Sequence, residues 1–380
     1  MFTKDGVELD VKRTLSMLDN RRKKIDEAPN DPLKKTYAVN ELAKSLHPGF
    51  TLATIKEIKP LTYNTKVITL SAKKFPYFRA GQYVTISTKV NGKVVTRPYS
   101  IFSSPNDALT GKLEIGVQTA GYFSTWITSN AKVGDKVLVS EPLGDFHHDD
   151  IRDKNHIFAI AGGSGITPFA SMMKSIIEGS ENFKLTILYG IKTKQDLMVD
   201  LNVKDDRIKI IPVYSNEEVA GAEHGFISKE IIKKYLPNDA SIFMCGNNLM
   251  YQFVMKEISA LNIPLTSVRS EHNCTPDLKL EHPREFNLTV HMRDEVFNLK
   301  AKENETILIA MEKAGLAAPS RCRSGVCGFC HSRLIKGTYK VIADSRRIAD
   351  KEFNFIHPCC SYPTSDLEID VPPIDELKEI

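Results

Sequence analysis

The chain has 380 residues, 42% of them hydrophobic, and a formal net charge of +4. This length predicts two or three domains with buried cores, and the mixed charges give no argument for nucleic-acid binding. No apolar run approaches the roughly 20 residues that span a bilayer. Charges occupy the positions near the start where a signal peptide needs an apolar core. These features predict a cytoplasmic protein, in which clustered cysteines more often bind metal or carry redox chemistry than form disulfides.

The first 50 residues differ from the rest of the chain. The stretch LDVKRTLSMLDNRRKKIDEA is charged and weakly helical in period, and a second short helix is predicted to stop at Pro48-Gly49. We therefore predict a helical N-terminal extension over residues 1–50 that carries no chemistry of its own.

Three further units are predicted from changes in the hydrophobic pattern. Residues 51–153 hold short β-branched runs broken by Gly, Pro and Asn, which is typical of a sandwich or barrel. In residues 154–280 apolar runs such as HIFAIAGG and LTILYG alternate with helical stretches, which predicts an α/β domain with a parallel sheet covered on both faces. Residues 285–380 read as two strands, a helix and then a cysteine-rich loop.

Three of the seven cysteines lie in the stretch SRCRSGVCGFCHSR, and the pair Cys359-Cys360 follows it. The spacing C-x4-C-x2-C with a distant fourth cysteine is the plant-type [2Fe-2S] spacing. Small residues let such a loop wrap closely enough for its N–H groups to reach sulfur. A structural zinc site fits this spacing poorly, because it normally pairs two C-x2-C steps or uses spaced histidines. Cys245 and Cys274 lie far off in sequence and are predicted to be separate.

Residues 285–380 resemble a plant-type ferredoxin domain, through ETILIAMEKAGLAAPSRCRSGVCGFC and HPCCSYPTSDLEID. The resemblance implies an α+β fold of the β-grasp type. It assigns the cluster to four ligands: Cys322, Cys327, Cys330 and Cys359. Cys360 stays open as the alternative fourth ligand.

Three stretches of the first predicted domain, TRPYSIFSS, VQTAGYFSTWI and EPLGDF, resemble in this order the flavin domain of the ferredoxin–NADP reductase superfamily. The resemblance covers residues 51 to about 280. It implies an antiparallel β-barrel that binds FAD, with FMN as the alternative. By this likeness Arg97 neutralises the flavin phosphates, Tyr99 packs on the isoalloxazine ring and Ser100 bonds near N5. The remaining implied flavin contacts are Gly121 at a helix start, Ser124 and Thr125 on the pyrophosphate, and Phe146 near the adenine.

The stretch HIFAIAGGSGITPFASMM reads as a strand, a glycine turn and a helix. Gly162, Gly163 and Gly165 let the backbone approach a pyrophosphate at the helix N-terminus. Thr167 can donate a hydroxyl, and Pro168 suits the first helical turn. The third glycine of the common dinucleotide fingerprint is missing, but G-G-x-G-I-x-P is the form that the superfamily resemblance implies.

MCGNNLM resembles the superfamily's C-G-P-x-x-M element beside the nicotinamide, with Cys245 and Gly246 matching and Asn247 in place of proline. The resemblance also places Glu271 near the flavin. With Tyr99, Ser100 and Cys245, Glu271 completes the predicted catalytic set. For the adenosine end, the stretch VYSNEE offers acids and no arginine, whereas Lys192 and Lys194 favour a 2′-phosphate. NADH is the favoured donor and NADPH the alternative.

Together the resemblances imply an NAD(P)H-dependent oxidoreductase that passes electrons from NADH through FAD to a [2Fe-2S] cluster. A protein acceptor, such as an oxygenase or hybrid cluster protein, would take them on. A nicotinamide gives two electrons at once and a cluster takes one, so a flavin belongs between them. The acceptor could dock at the cysteine loop through Arg321, Arg323 and His331, or these residues could only tune the cluster. Reverse flow from the cluster to NAD, or a redox-sensing module, are the alternative functions.

Overall fold

The computed structural model describes residues 4–27, 38–46, 49–264, 267–271, 278–342, 350 and 352–374. The chain forms two units, Met1–His47 and Pro48–Ile380, and each is described by itself. Within the described ranges, no helix is both long enough and apolar enough to cross a membrane.

The first unit contains the helices α1 (Lys4–Asp26) and α2 (Ala38–Leu46). In α1 the side chains that are described are exposed, including those of Leu15 and Met17. The predicted stop of the second helix at Pro48 lies outside the described residues. The extent of this segment as a domain stays a prediction, as do the other domain boundaries.

The second unit begins with an antiparallel barrel, as the short β-branched runs predict. Its six strands pair in the order β4-β3-β6-β1-β2-β5. A bridge between Ile101 and Ile115 closes the barrel, and the Phe102 N–H donates to the Glu114 carbonyl at 2.8 Å beside it. The elements are β1 (Phe50–Thr62), β2 (Thr65–Ser71), β3 (Tyr83–Val90), β4 (Lys93–Ser100), α3 (Pro105–Leu109), β5 (Lys112–Gln118), α4 (Tyr122–Ser129) and β6 (Lys136–Ser140).

An all-parallel sheet follows, with the order β10-β9-β8-β7-β11-β12. The chain starts at β7, moves to β8 on one side and returns to β11 on the other. The strand order therefore reverses between β7 and β11, where open sheets of this kind bind ligands. The elements are β7 (His156–Gly162), a 3-10 turn (Gly163–Ile166), α5 (Thr167–Ile177), β8 (Lys184–Ile191), a 3-10 turn (Lys194–Asp196), β9 (Ile208–Tyr214), β10 (Glu223–His224), α6 (Lys229–Tyr235), β11 (Ser241–Cys245), α7 (Asn248–Ser259) and β12 (Val268–Glu271).

The last part is a mixed α+β fold. Its main sheet has the order β14-β13-β19-β15-β17, in which β13 and β19 are parallel, and β16 pairs with β18 beside it. Helix α8 is capped by the Thr306 hydroxyl and ends at Gly315, which has φ +86°. The elements are β13 (Glu285–Met292), β14 (Glu295–Lys302), α8 (Ile307–Ala314), β15 (Ser332–Lys336), β16 (Tyr339–Val341), β17 (Phe355–Ile356), β18 (Ser361–Pro363) and β19 (Leu367–Asp370).

One apolar core joins the barrel to the parallel sheet. Phe102 and Phe146 from the barrel side pack in the same cluster as Phe169 and Met172 of α5 and Phe243 of β11. This core positions the end of the barrel beside the ends of β7 and β11. The mixed sheet has its own core, built on β13, β19 and α8.

Candidate redox site

The predicted flavin residues line one side of a cavity of about 670 Å³. Tyr99 is half-buried at the end of β4, with its ring centroid 6.1 Å from that of Phe123. Arg97, Gly121 and Ser124 lie in the same lining. The volume and this donor set, an arginine and a helix start beside an aromatic ring, fit a flavin and its phosphates.

The start of α4 is organised by its own side chain. The Ser124 hydroxyl accepts from the N–H groups of Ala120 and Gly121, at 3.0 and 2.8 Å. This bonding fixes the turn at Gly121, and Ala120, Gly121 and Ser124 all line the cavity. Thr125 is exposed and is not part of the cavity lining.

Ser100 and Glu271 meet although 171 residues separate them. The buried Ser100 hydroxyl donates to the Glu271 Oε2 at 3.0 Å. Glu271 pairs with Cys245 across β11 and β12, and the Cys245 carbonyl lies against Gly165, where a Cβ would come within 2.1 Å of it. The fold therefore brings together Ser100, Glu271 and Cys245 from three separate stretches of sequence.

A second cavity, of about 690 Å³, opens at the carboxyl ends of β7, β8 and β11. Gly162 and Gly163 lie in its wall, and Gly163 has φ +53°, which favours glycine. At Gly162 a Cβ would lie 2.1 Å from the Met250 sulfur, so a larger residue would require the Met250 side chain to move. The backbone approach predicted for a dinucleotide is present here.

Other predicted nucleotide residues build this turn rather than line the cavity. The Thr167 hydroxyl donates to the Ser164 carbonyl at 2.9 Å, and Pro168 is buried in the first turn of α5. Asn247, which stands where the family motif has proline, caps α7 by accepting from the Met250 N–H at 2.9 Å and also lines the cavity. The loop shape is therefore maintained by a cap in place of the proline ring.

At the far end of this cavity lie Lys192 and Ser215. The Glu217 carboxylate accepts from the Lys194 N–H at 2.8 Å, so the acidic stretch VYSNEE and the lysine loop contact each other. Sequence reasoning missed two parts of the cavity lining. One is the β1–β2 turn, which contributes Tyr63 and Asn64, and the other is the tilted aromatic pair Phe226 and Phe253. No local motif marks any of these residues.

The cysteine loop is folded for sulfur ligation. The Cys322 sulfur accepts from the N–H groups of Ser324 and Cys327 at 3.5 and 3.4 Å, and the Cys327 sulfur accepts from the Phe329 N–H at 3.5 Å. Gly325 and Gly328 have φ of +81° and +75°. Such N–H···S bonds and left-handed glycines suit a loop that wraps an iron–sulfur cluster.

The sulfur atoms of the two candidates for the fourth ligand, Cys359 and Cys360, contact different groups. The Cys359 sulfur lies 3.3 Å from that of Cys330. The Cys360 sulfur contacts the His357 carbonyl at 3.6 Å and lies behind Gly325, where it would be 2.7 Å from an added Cβ. Within the described ranges no three His, Cys, Asp or Glu side chains converge as a single metal ion requires. Cys245 is buried at the end of β11, and Cys274 lies outside the described residues.

Two predictions of side-chain roles need correction. Phe146 is 3% exposed, with its ring centroid 5.1 Å from that of Phe243, so it belongs to the core and lines neither described cavity.

Arg321 and Arg323 face the rest of the chain instead of a partner. Arg321 pairs with Glu141 at 3.2 Å, and Arg323 pairs with Glu312 at 2.7 Å. His331 is half-buried with its ring 3.9 Å from that of Phe355.

Comparison with known proteins agrees with this geometry. Three sequence-family models match in chain order: an oxidoreductase FAD-binding domain over 52–148, an oxidoreductase NAD-binding domain over 159–256 and a 2Fe-2S iron-sulfur cluster binding domain over 290–364. The chain is 24% identical to the glycine betaine monooxygenase reductase subunit of Chromohalobacter salexigens over 77% of this chain and 87% of that one. It is 26% identical to the NADH oxidoreductase HCR of Escherichia coli over 77% and 88%.

A solved structure shares the fold over most of the chain. Phthalate dioxygenase reductase, described as a modular structure for electron transfer from pyridine nucleotides to [2Fe-2S], superposes with a TM-score of 0.64 at 23% identity. The match covers 86% of this chain and 98% of that one. The chain therefore contains an oxidoreductase FAD-binding domain on the barrel and an oxidoreductase NAD-binding domain on the parallel sheet, in an architecture like that of the ferredoxin–NADP reductases. Its C-terminal [2Fe-2S] domain gives it the domain arrangement of phthalate dioxygenase reductase.

Proposed function

We propose that this chain passes electrons from NADH through FAD and a [2Fe-2S] cluster to a separate protein acceptor. One observation carries the proposal. Cys322 packs against Tyr83 and Leu143 of the barrel, and Tyr83 is the direct cross-strand partner of Ser100. The cysteine loop is thus one residue removed from the Ser100–Glu271 contact, where we expect the flavin and the nicotinamide to meet.

The chain's own residues act by binding and orienting. Arg97, Gly121 and Ser124, which line the cavity, would hold the flavin phosphates, and Tyr99 would pack on the ring. The nicotinamide nucleotide would be held by the turn Gly162, Gly163, Gly165, Thr167 and Pro168, with Cys245 and Gly246. When bound, the flavin accepts two electrons from the nicotinamide and releases them one at a time to the cluster.

Ser100 and Glu271 occupy the place where nicotinamide and flavin would meet. The hydroxyl-to-carboxylate bond fixes the Ser100 rotamer, so its oxygen is held at one position beside the Glu271 carboxylate. Such fixed placement contributes to hydride transfer because the reacting atoms must be held in near contact. The Tyr251 hydroxyl, which contacts the carbonyl of Glu271, anchors β12 against α7.

The acceptor is proposed from the relatives and from the exposed part of the loop. Two relatives are named as a monooxygenase reductase subunit and an NADH oxidoreductase, so an oxygenase component or hybrid cluster protein is the class of acceptor we propose. Cys327 and Val326 are exposed, whereas Arg321 and Arg323 face inward. Docking would therefore use the Val326–Cys327 face. We place the protein in the cytoplasm, where free thiols stay reduced.

The first test is the absorption spectrum of anaerobically purified protein, titrated with NADH and then NADPH. We expect flavin and iron–sulfur bands that NADH bleaches at lower concentration than NADPH. Bleaching of the flavin alone would contradict electron transfer to the cluster and favour a sensor. Lack of iron–sulfur absorption would contradict the assignment of the cysteine loop as the cluster-binding site.

A matched pair of variants tests the fourth ligand. Because the Cys359 sulfur faces Cys330 and the Cys360 sulfur faces the His357 carbonyl, Cys359→Ser should lose the cluster and Cys360→Ser should keep it. Iron and sulfide content, read beside the cluster absorption, decides between them. The reverse result would move the ligand to Cys360.

A further inference from the structure

The flavin cavity has a second wall, built by the [2Fe-2S] domain. Opposite Tyr99 and Gly121 its lining includes Lys302, Thr306 and Arg323. Of these, Arg323 stands in the cysteine loop itself, directly after the proposed ligand Cys322. A residue of the cluster loop is therefore part of the wall of the flavin site.

Arg323 and the predicted phosphate residue Arg97 share their partners. Arg97 donates to the Glu312 Oε1 at 2.9 Å and to the Thr96 carbonyl at 2.8 Å. Arg323 donates to both Glu312 oxygens at 2.7 and 3.2 Å, and to the same Thr96 carbonyl at 3.4 Å. The two guanidinium groups therefore lie side by side, one from the barrel and one from the cluster loop.

Two positively charged guanidinium groups this close together favour the binding of an anion. Burial and the nearby charge of Arg323 lower the pKa of Arg97, and the Glu312 carboxylate opposes that shift. Glu312 supplies one negative charge against two guanidinium groups, so the cluster keeps a net positive charge that a phosphate in the cavity would balance. Glu312 would then act as the fixed support that holds both groups at the cavity.

The backbone conformation of Arg323 supports the same conclusion. Its φ is +56°, in the left-handed region that glycine and asparagine adopt at least cost. At other left-handed positions of the loop the residue is glycine, namely Gly325 and Gly328. A long charged side chain held in this conformation is a mark of a functional position.

We propose that Arg323 is a second phosphate-binding residue of the flavin site, so that the bound flavin bridges the barrel and the cluster loop. The inference rests on the assignment of this cavity to the flavin under the proposed function. Binding of the flavin phosphate then stabilises the contact between the cysteine loop and the barrel. By thermodynamic linkage, that contact strengthens flavin binding by the same factor.

The test measures flavin affinity in the full-length protein with its cluster retained and its flavin removed. FAD, FMN and riboflavin are titrated separately and binding is followed by quenching of flavin fluorescence. Arg323→Gln should raise the dissociation constant for FAD and FMN about tenfold, the effect of losing a charge-assisted hydrogen bond. It should leave riboflavin unchanged, because riboflavin has no phosphate.

Arg321→Gln is the matched control. Arg321 is on the other side of Cys322, pairs with Glu141 and does not line the cavity, so its loss should change the three flavin affinities equally and by much less than tenfold. Equal FAD binding by wild type and Arg323→Gln would overturn the inference, as would a loss of the same size for riboflavin. Failure of the wild type to bind any flavin would instead overturn the proposed function.

A second variant keeps the test decisive if Arg323→Gln loses its cluster. Arg323→Lys retains the charge but not the forked donors. The ratio of FAD to riboflavin affinity should then fall about threefold, less than the loss of a whole charged hydrogen bond. An unchanged ratio would count against phosphate binding by Arg323.

Discussion

The barrel meets its two neighbours through contacts of opposite character. Toward the parallel sheet, the contact is mainly the apolar core that holds Phe102, Phe146, Phe169 and Phe243, called here the nicotinamide seam, with polar contacts such as Lys174 on Glu114 and Ser100 on Glu271 beside it. Toward the [2Fe-2S] domain it consists mainly of ion pairs, Arg97 and Arg323 on Glu312 and Arg321 on Glu141, called here the cluster seam. The apolar part of the cluster seam consists of two small clusters: Tyr83 and Leu143 around Cys322, and Leu138 packed with Ile374 and the partly buried Phe50, Val94, Ala317 and Phe329.

The difference matches what each seam must do. Hydride transfer needs the nicotinamide and flavin held in near contact, and a close-packed apolar core fixes that geometry. The cluster seam depends on a few directional charged contacts whose strength changes with pH, salt and a bound anion. A change of charge at the cluster seam can therefore weaken the contact between the cysteine loop and the barrel while the apolar packing of the nicotinamide seam is kept.

The largest expected effect comes from emptying the nicotinamide seam. Phe146→Ala removes a ring packed 5.7 Å from Phe169 and 5.1 Å from Phe243, and should reduce the free energy of unfolding by about 3–5 kcal/mol. Urea unfolding followed by tryptophan and flavin fluorescence measures it. The exposed Phe353 supplies the control, since Phe353→Ala should change little. A small effect at Phe146 would mean that the seam is not a shared core.

A smaller effect is expected from breaking the cluster seam. Glu312→Gln leaves two guanidinium groups facing a neutral amide and should cost about 2 kcal/mol. Single-turnover measurements should show flavin reduction by NADH at the wild-type rate and slower appearance of the reduced cluster. Slowing of both steps together would contradict the independence of the two seams.

Acid should weaken the cluster seam in a defined direction. Burial favours the neutral form of Glu312, but the charges of Arg323 and Arg97 outweigh it and hold the pKa of this carboxyl below its ordinary value of 4.5. A carboxyl with a depressed folded-state pKa contributes stability above its unfolded pKa and loses it as the pH falls through the folded pKa.

The stability difference between wild type and Glu312→Gln should therefore be constant from neutral pH down to 4.5 and shrink below it. Urea unfolding midpoints of both proteins over this pH series give the measurement. A difference that grows on acidification would show that the sign is wrong.

The smallest effect should come from Arg321→Gln. Arg321 stacks 4.0 Å over the Phe329 ring and pairs with Glu141, but both charged side chains keep contact with solvent. Pairs of this kind contribute less than about 1 kcal/mol. A shift in the unfolding midpoint as large as that of Glu312→Gln would make Arg321, and not Glu312, the main contact of the cluster seam.

Much of this molecule follows from local sequence rules. The spacing of Cys322, Cys327 and Cys330 predicts a cluster loop, because ligation by one loop depends on residues a few positions apart. The turn at Gly162 and Gly163 predicts a dinucleotide site for the same reason, since a strand, a tight turn and a helix start are neighbours in the chain. Hydrophobic period predicts the parallel sheet and, for the first domain, a sandwich or barrel. The flavin barrel and the α+β fold of the last domain are implied by the family resemblances, and the family comparisons confirm that architecture.

What the sequence could not determine is long-range. Glu312 lies 215 residues from Arg97 and reads in sequence as one acid in a helix. Phe146 looked like a ligand-facing aromatic, but tertiary packing placed it in the core of the nicotinamide seam. Arg321 and Arg323 looked like docking residues because nothing local indicates that the barrel lies beside them. Local chemistry is written in residue spacing, whereas the partner of a side chain depends on how separate domains pack, and only the tertiary structure decides that.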